Sequence, residues 1–532
     1  MSYEKKMTEF IDQHVEIIKP LCLESSLAWW DNALTGSDDS AQRAAEINAQ
    51  LMKIYANPDE YAFLKSIPKD EIHDPLIARQ HDMLLRGYEG EQMSDDMIDR
   101  MVKLDTEISQ EYNNFRADVN GESMLENDIR KVLSESTDLD LRKAAWEGSK
   151  RIGARVEERV LELVKLRNQV ARDQGYTDHY AKSYHLSELD LERVFNQFDA
   201  LAALTDPIWE EWKSRFDIRQ ASRLGITVEE LRPWHYTDQF FQEAPAGTFN
   251  LDQFFTGKSM EELTRSFYSS IGLPVDDVMS RSDLYEKPGK NQHAFCTDID
   301  HEGDVRVLCN VRSNEHWMGT MLHEFGHAVY DKYTDYSLPF MLRGPSHTLS
   351  TEAIAEMMGR FSSNALWLKL YAGIPQEKMA ELNEATLERE RSKFLVVTRW
   401  FFVMCYFERE MYRNPDQDLN KLWWDMVERY QGIHRPDDRN EPDWASKLHL
   451  ALAPVYYQNY LLGEMFAAQI LSHIRRVVLQ DEAAEALFIS PKVGQWLKER
   501  IFTPAAVRPW EDGLEYATGE ALNPAYYAAQ LK

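Results

Sequence analysis

His323-Glu324-Phe325-Gly326-His327 is a short run whose residue types and spacing could do chemistry. On a helix, two imidazoles at i and i+4 lie on one face, one turn apart. Both rings can then reach a single ion at about 2.0–2.1 Å, the zinc–nitrogen bond length. Glu324, rotated about a quarter turn from His323, can face an attacking water without being a ligand. Two solvated histidines on a surface helix are the bland alternative. Against it, Trp317, Met318, Met321, Leu322, Phe325, Ala328 and Val329 surround the motif. A helix of that composition is buried, and polar groups buried with it need partners.

A third ligand is expected on a later helix. The stretch Thr351-Glu352-Ala353-Ile354-Ala355-Glu356 is apolar apart from Thr351 and two carboxylates four residues apart. Two like charges on one buried face are unfavourable unless a cation compensates them. Glu352 is assigned to the metal, and Glu356 to the free N–H of a ligand histidine. His347 is a rival third ligand, though histidines in loops usually face solvent. Further on, Lys447, His449, Tyr456, Tyr457 and Tyr460 form a donor-rich stretch, with Tyr457 and Tyr460 on one helical face. A phenol and an imidazole aimed at a developing oxyanion each contribute ~10²–10³ in rate. Without the upstream motif, these tyrosines would read as amphipathic core residues.

The elements that position these groups are mostly helical. Residues 137–175 carry Ala145, Val156, Val160, Leu163, Val164 and Val170 at three- and four-residue steps, with Gly175 as a stop. Phe394–Phe407 is the greasiest stretch; it is too short to span a bilayer and Arg399 interrupts it, so a buried core helix is expected. One segment breaks the pattern. His293–Ile299 and Asp304–Val311 are two β-prone runs around Asp300–Gly303, and the second alternates through Val305, Val307, Cys309 and Val311. A hairpin is expected there, just before the histidine motif.

The 532 residues hold 60 Lys+Arg against 89 Asp+Glu, a net charge of −29. A surface that acidic repels phosphate backbones and anionic headgroups, so no nucleic acid and no membrane is expected as a partner. Cys22, Cys296, Cys309 and Cys405 form no CxxC pair, which argues against a cysteine metal site. The chain opens Met-Ser-Tyr-Glu-Lys-Lys without an apolar run, and a cytoplasmic location is expected.

In these motifs the chain resembles the angiotensin-converting-enzyme family of zinc dipeptidyl carboxypeptidases. HEFGH and TEAIAE are similar to that family's HExGH and HEAIGD, and Lys447-Leu448-His449 to its KxH. Ser26–Thr35, Trp146-Glu147 and Leu166–Arg172 resemble its helices, and 292–294 with 305–309 its substrate-binding hairpin. The resemblance implies one zinc per chain, held by His323, His327 and Glu352, with Glu324 as the base. It implies that His293 and Ala294 hold substrate along the strand, and that His449 and Tyr460 are oxyanion donors. Lys447 and Tyr457 would take the substrate's C-terminal carboxylate. Asn459 stands where the family places a chloride-binding arginine, and Gln292 replaces the cysteine that would pair with Cys309. One extra residue before the tyrosine pair makes Tyr456 a rival for Tyr457. HEFGH and the Tyr-Tyr-x-x-Tyr stretch equally resemble the related thimet oligopeptidase family, which cuts internal bonds.

The fold expected is mostly α-helical: a single catalytic domain over 1–532, of two helical lobes with a deep central cleft and a small antiparallel sheet near the HExxH helix. The function expected is a zinc metallopeptidase that releases dipeptides from the C-terminus of short peptides. An oligopeptidase is the alternative. A catalytically inactive peptide-binding module is a remote one, because the base and all three ligands are present. Acidic lining would favour cationic peptides.

Overall fold

Helix-start signals recur along the chain and account for much of its architecture. Ser2, Ser37, Asn57, Asp74, Ser94, Asp138 and Asp190 each accept a hydrogen bond from a backbone N–H of the first helical turn. Each such cap satisfies a donor that the helix cannot. The computed structural model describes residues 2–244, 250–481 and 489–532. Within them the protein is mostly α-helical, with two two-stranded antiparallel sheets. The helix expected over 137–175 runs Leu139–Asp173. Gly175 follows it at φ +91°, and the Tyr176 N–H closes the end on the Ala171 carbonyl at 3.0 Å.

The chain divides into two compact units. The first takes Met1–Gln92, Thr248–Thr386 and Leu462–Tyr526. Its opening helix, Tyr3–Thr35, packs Trp30 and Ala33 against Phe295, Ile299 and Leu308 of the hairpin. The helix end and the hairpin's entry loop meet at a close approach: a Cβ on Gly289 would lie 2.3 Å from the Thr35 carbonyl oxygen. Only glycine fits there, and the Asn291 N–H reaches the Ala33 carbonyl at 2.7 Å.

The hairpin pairs Phe295–Asp298 with Val305–Leu308, with Phe295 opposite Leu308 and Asp298 opposite Val305. Both strands are shorter than their sequence suggests. After Leu308 the backbone turns to a different partner: the Cys309 N–H donates to the Asp283 carbonyl at 2.9 Å, and the Val311 N–H to that of Leu284 at 2.8 Å. His293 and Ala294 therefore precede the ladder and have no residue opposite them.

The second unit takes Met93–Gly247, Leu387–Leu461 and Tyr527–Lys532. Most of the long helix Met379–Arg413 lies in it. The greasy stretch is buried, from Phe394 at 2% exposure to Phe407 at 0%. Arg399, 1% exposed, is paired with the half-exposed Asp206 at 2.5 Å and with the buried Thr205 hydroxyl at 3.0 Å. Among the described residues no helix is long and apolar enough to cross a membrane. All four cysteines are free thiols.

Candidate active site

The histidine motif sits on the helix Glu315–Lys332, which begins where the Asn314 side chain caps the Trp317 N–H at 2.9 Å. Met318, Met321, Leu322, Phe325, Ala328 and Val329 are fully buried, as their spacing predicts. The next helix, Thr348–Gly359, carries the two glutamates. Gly326 lets these helices touch, since a Cβ there would stand 2.8 Å from Ala355 Cα. That contact turns the His323–His327 face onto Glu352.

His323 Nε2 lies 3.6 Å, and His327 Nε2 3.9 Å, from Glu352 Oε2. One ligand atom from each of the three residues falls within 4.8 Å of the other two. The opposite ring nitrogens face outward. His327 Nδ1 is 2.7 Å from the Thr351 hydroxyl, and His323 Nδ1 is 3.8 Å from Glu356 Oε1. Groups behind the rings fix which nitrogen turns inward. Two inward imidazole nitrogens and one carboxylate are a donor set that fits a zinc ion. Thr351 was not singled out in the sequence; its position beside Glu352 was the available signal. His347 instead caps its helix, its Nδ1 accepting the Leu349 N–H at 3.0 Å.

These groups open onto a cavity of about 590 Å³, lined also by Ala294, by the first hairpin strand, and by Asp298 and Asp331. Glu324 is 7% exposed; burial pushes its carboxyl up to about 7, and Glu352 and Glu356 add to the rise. A carboxyl poised there can take a proton and return it near neutral pH. Burial holds His327 neutral, down at about 3, and raises Glu352. Burial also lifts Asp298 to about 6 and Asp331 to about 8. Asp331 extends the His323–His327 face by one more turn, a spacing visible in the sequence and passed over.

The other candidate residues belong to the second unit. Lys447 is 9% exposed, and its ammonium donates to Gln242 Oε1 at 2.8 Å. It lies over the rings of Phe240, Trp400 and Tyr457, at 5.1, 5.2 and 6.0 Å from their centroids. Burial lowers Lys447 to about 8. Gln242 sits in a loop held by Asp238, whose carboxylate accepts the N–H groups of Phe240, Gln242 and Glu243. Sequence reasoning missed Gln242, because this loop has no periodicity.

The His449 ring is 5.2 Å from that of Tyr457, and burial lowers the imidazole to about 4. Its Nδ1 meets no protein partner among the described residues. Tyr457 is buried, which raises its hydroxyl pKa, whereas Tyr460 is 37% exposed and stacks on Phe401 at 5.7 Å. Tyr456 packs on Tyr460 at 5.2 Å. It is therefore Tyr457 that shares a neighbourhood with Lys447 and His449.

Comparison with known proteins agrees with this chemistry. The sequence profile of peptidase family M3 matches residues 132–501, and that of angiotensin-converting enzyme matches residues 1–214. The chain is 22% identical to the angiotensin-converting enzyme of Theromyzon tessulatum over 84% of its length and 78% of that protein. It is 26% identical to thermostable carboxypeptidase 1 of Pyrococcus furiosus over 51% of its length and 57% of the relative's. Against the angiotensin-converting enzyme of Oryctolagus cuniculus the identity is 21%, over 74% of this chain but only 32% of the longer protein. With a match across more than half of its residues, the chain belongs to peptidase family M3, and it is a metallopeptidase of the kind shared with the angiotensin-converting enzymes.

Proposed function

We propose that the protein is a zinc peptidase that removes dipeptides from the C-terminus of short peptides. His323, His327 and Glu352 would hold the zinc, which when bound polarises a carbonyl and acidifies a water. Glu324 takes the proton of the attacking water on its carboxylate and passes it to the leaving amine. Neutral His449 and the Tyr460 hydroxyl donate to the oxyanion as it forms. His293 and the Ala294 backbone hold the peptide alongside the hairpin strand.

The observation that carries the exopeptidase reading is Lys447. Its ammonium is buried, makes no ion pair among the described residues, and has a neutral amide as its hydrogen-bond partner. A buried cation so placed is costly unless an anion meets it, and a C-terminal carboxylate would do so, near the Tyr457 ring that lies 6.0 Å from the ammonium.

The test compares a peptide acid with its C-terminal amide. Amidation removes a charge-assisted contact of roughly 1.5–3 kcal/mol, about ten- to a hundredfold in kcat/KM. Lys447→Ala should erase the difference by slowing only the acid. Chelation should abolish cleavage and zinc should restore it. A second reading, an oligopeptidase cutting internal bonds, is favoured by the long match to family M3. Equal cleavage of acid and amide at internal bonds would establish it instead.

A further inference from the structure

The nine residues between Lys447 and Tyr457 contain one backbone position that its side chain disfavours. Val455 lies at φ +53°, in the left-handed region that β-branched residues rarely adopt. It immediately precedes the tyrosines, and the helix carrying them starts at Tyr457. Strain of this kind persists only where surrounding groups over-determine it.

Those groups can be named. The Val455 N–H donates to Glu408 Oε1 at 2.8 Å, and the Val455 carbonyl accepts from Gln458 Nε2 at 2.6 Å. Just upstream, Arg167 Nη2 donates to the Ala451 carbonyl at 2.8 Å. Glu408, Gln458 and Arg167 are 2%, 1% and 6% exposed. Glu408 makes no ion pair among the described residues. Burial in the core raises its carboxyl to about 8, against the lowering effects of the Val455 N–H and of the Arg167 charge. The cost of burying that carboxyl makes packing alone a poor reason for a glutamate here, where Met or Leu would fill the space. Its acceptor atom is what the strained N–H requires.

We infer that Glu408 is a positioning residue: by holding Val455 in the left-handed conformation it sets the start of the helix that aims Tyr457 and Tyr460. This rests on the roles proposed above for the two tyrosines. Glu408 touches no substrate and acts through the backbone alone. Any acceptor of the same reach should therefore serve, charged or neutral.

The experiment uses the full chain with its metal. Glu408→Met keeps the volume and removes the acceptor; kcat should fall about tenfold, short of the ~10²–10³ that outright loss of a donor costs. Glu408→Gln keeps an acceptor and should keep kcat within about twofold of the starting protein. The decisive variant is Glu408→Met with Val455→Gly. Glycine adopts the left-handed conformation without help, so kcat should recover. A general loss of core stability would not be rescued in this way. Fluorotyrosine at 457 and at 460 supplies a readout independent of activity: the ¹⁹F shifts should move in Glu408→Met and return when Val455→Gly is added. Failure of Val455→Gly to restore either signal overturns the inference, as does a tenfold loss of kcat in Glu408→Gln. If Tyr460→Phe proves fully active, the catalytic reading of Tyr460 fails, and the ¹⁹F shifts alone then decide the positioning. If Glu408→Met does not fold, Glu408→Ala in the Val455→Gly background is compared with Val455→Gly alone. Equal kcat supports the inference, and a tenfold gap overturns it.

Discussion

Glu324 and Glu352 are both carboxylates facing one cavity, yet their surroundings assign them different work. Glu352 Oε2 sits within 4 Å of both inward imidazole nitrogens, at 3.6 and 3.9 Å, and with them forms a cluster that could hold a metal ion. Glu324 is more deeply buried and stands apart from that cluster, and burial raises its affinity for a proton, as the proposed role of proton carrier requires. Glu324→Gln should thus retain about one zinc per chain while losing on the order of 10²–10⁴ in kcat. Metal analysis of the purified variant checks this, and loss of zinc would show Glu324 to be a ligand. At Tyr460 the expectation is a split in kinetic constants. The hydroxyl helps only once negative charge develops, so Tyr460→Phe should lower kcat by about 10²–10³ with little change in KM. A change in KM alone would make Tyr460 a binding residue.

At the scale of elements, the site depends on how closely two helices approach. Gly326 stands between His323 and His327 and faces Ala355, three residues beyond Glu352. Gly326→Ala should raise intrinsic helix stability by about 1 kcal/mol. The new methyl would nevertheless lie 2.8 Å from a backbone carbon, which cannot yield without moving the whole helix. Overpacking of that sort costs roughly 1–3 kcal/mol, so the clash outweighs the propensity gain. The melting temperature should fall and zinc should bind more weakly, read by competition with a chelator. An unchanged melting temperature would mean that the helix pair can absorb the methyl, and that Gly326 does not set their approach. The hairpin shows the limits of local pattern at this scale. Alternation through Val305, Val307, Cys309 and Val311 predicts one strand of eight residues. All but Val311 are buried to 0%, but the ladder stops at Leu308, because a separate segment at Asp283 and Leu284 captures the remaining N–H groups.

The whole molecule carries its buried histidines in both units, and they set an acid limit on stability. His14, 4% exposed, lies between the hydroxyls of Tyr55 and Tyr88, and His235, 5% exposed, accepts the Arg232 N–H on Nδ1 at 2.9 Å. Burial lowers both to about 4. Their unfolded value is about 6.5, so between pH 6.5 and 4 the unfolded chain binds the extra protons. The stability each contributes is complete above pH 6.5 and is lost as the pH falls toward 4, on the order of 3 kcal/mol apiece. Glu408 and Asp331, raised to about 8, act with the opposite slope between pH 4 and 8, so the total curve mixes both signs. The comparison that isolates the histidines is the pH dependence of melting in His14→Gln/His235→Gln against the parent. The variant should lose less stability from pH 6.5 to 4, and an identical slope would show that these rings are not buried neutral.

The sequence by itself determined the helical character, the caps, and the spacing that brings His323, His327 and Glu352 together with Glu324 beside them. All of these are local: a helical period, a capping side chain or a five-residue motif needs no knowledge of distant chain. It also determined the core helix around Arg399 and the presence of the hairpin. Tertiary structure decided what joins residues far apart. Gln242 meets Lys447 across 205 positions, and Glu408 meets Val455 across 47. Thr351 rather than Glu356 makes the short contact behind a ligand ring, and Tyr457 rather than Tyr456 is the neighbour of Lys447. The physical reason is common to all four. Each depends on which side chains meet once the chain has closed, and a periodicity carries no information about that closure.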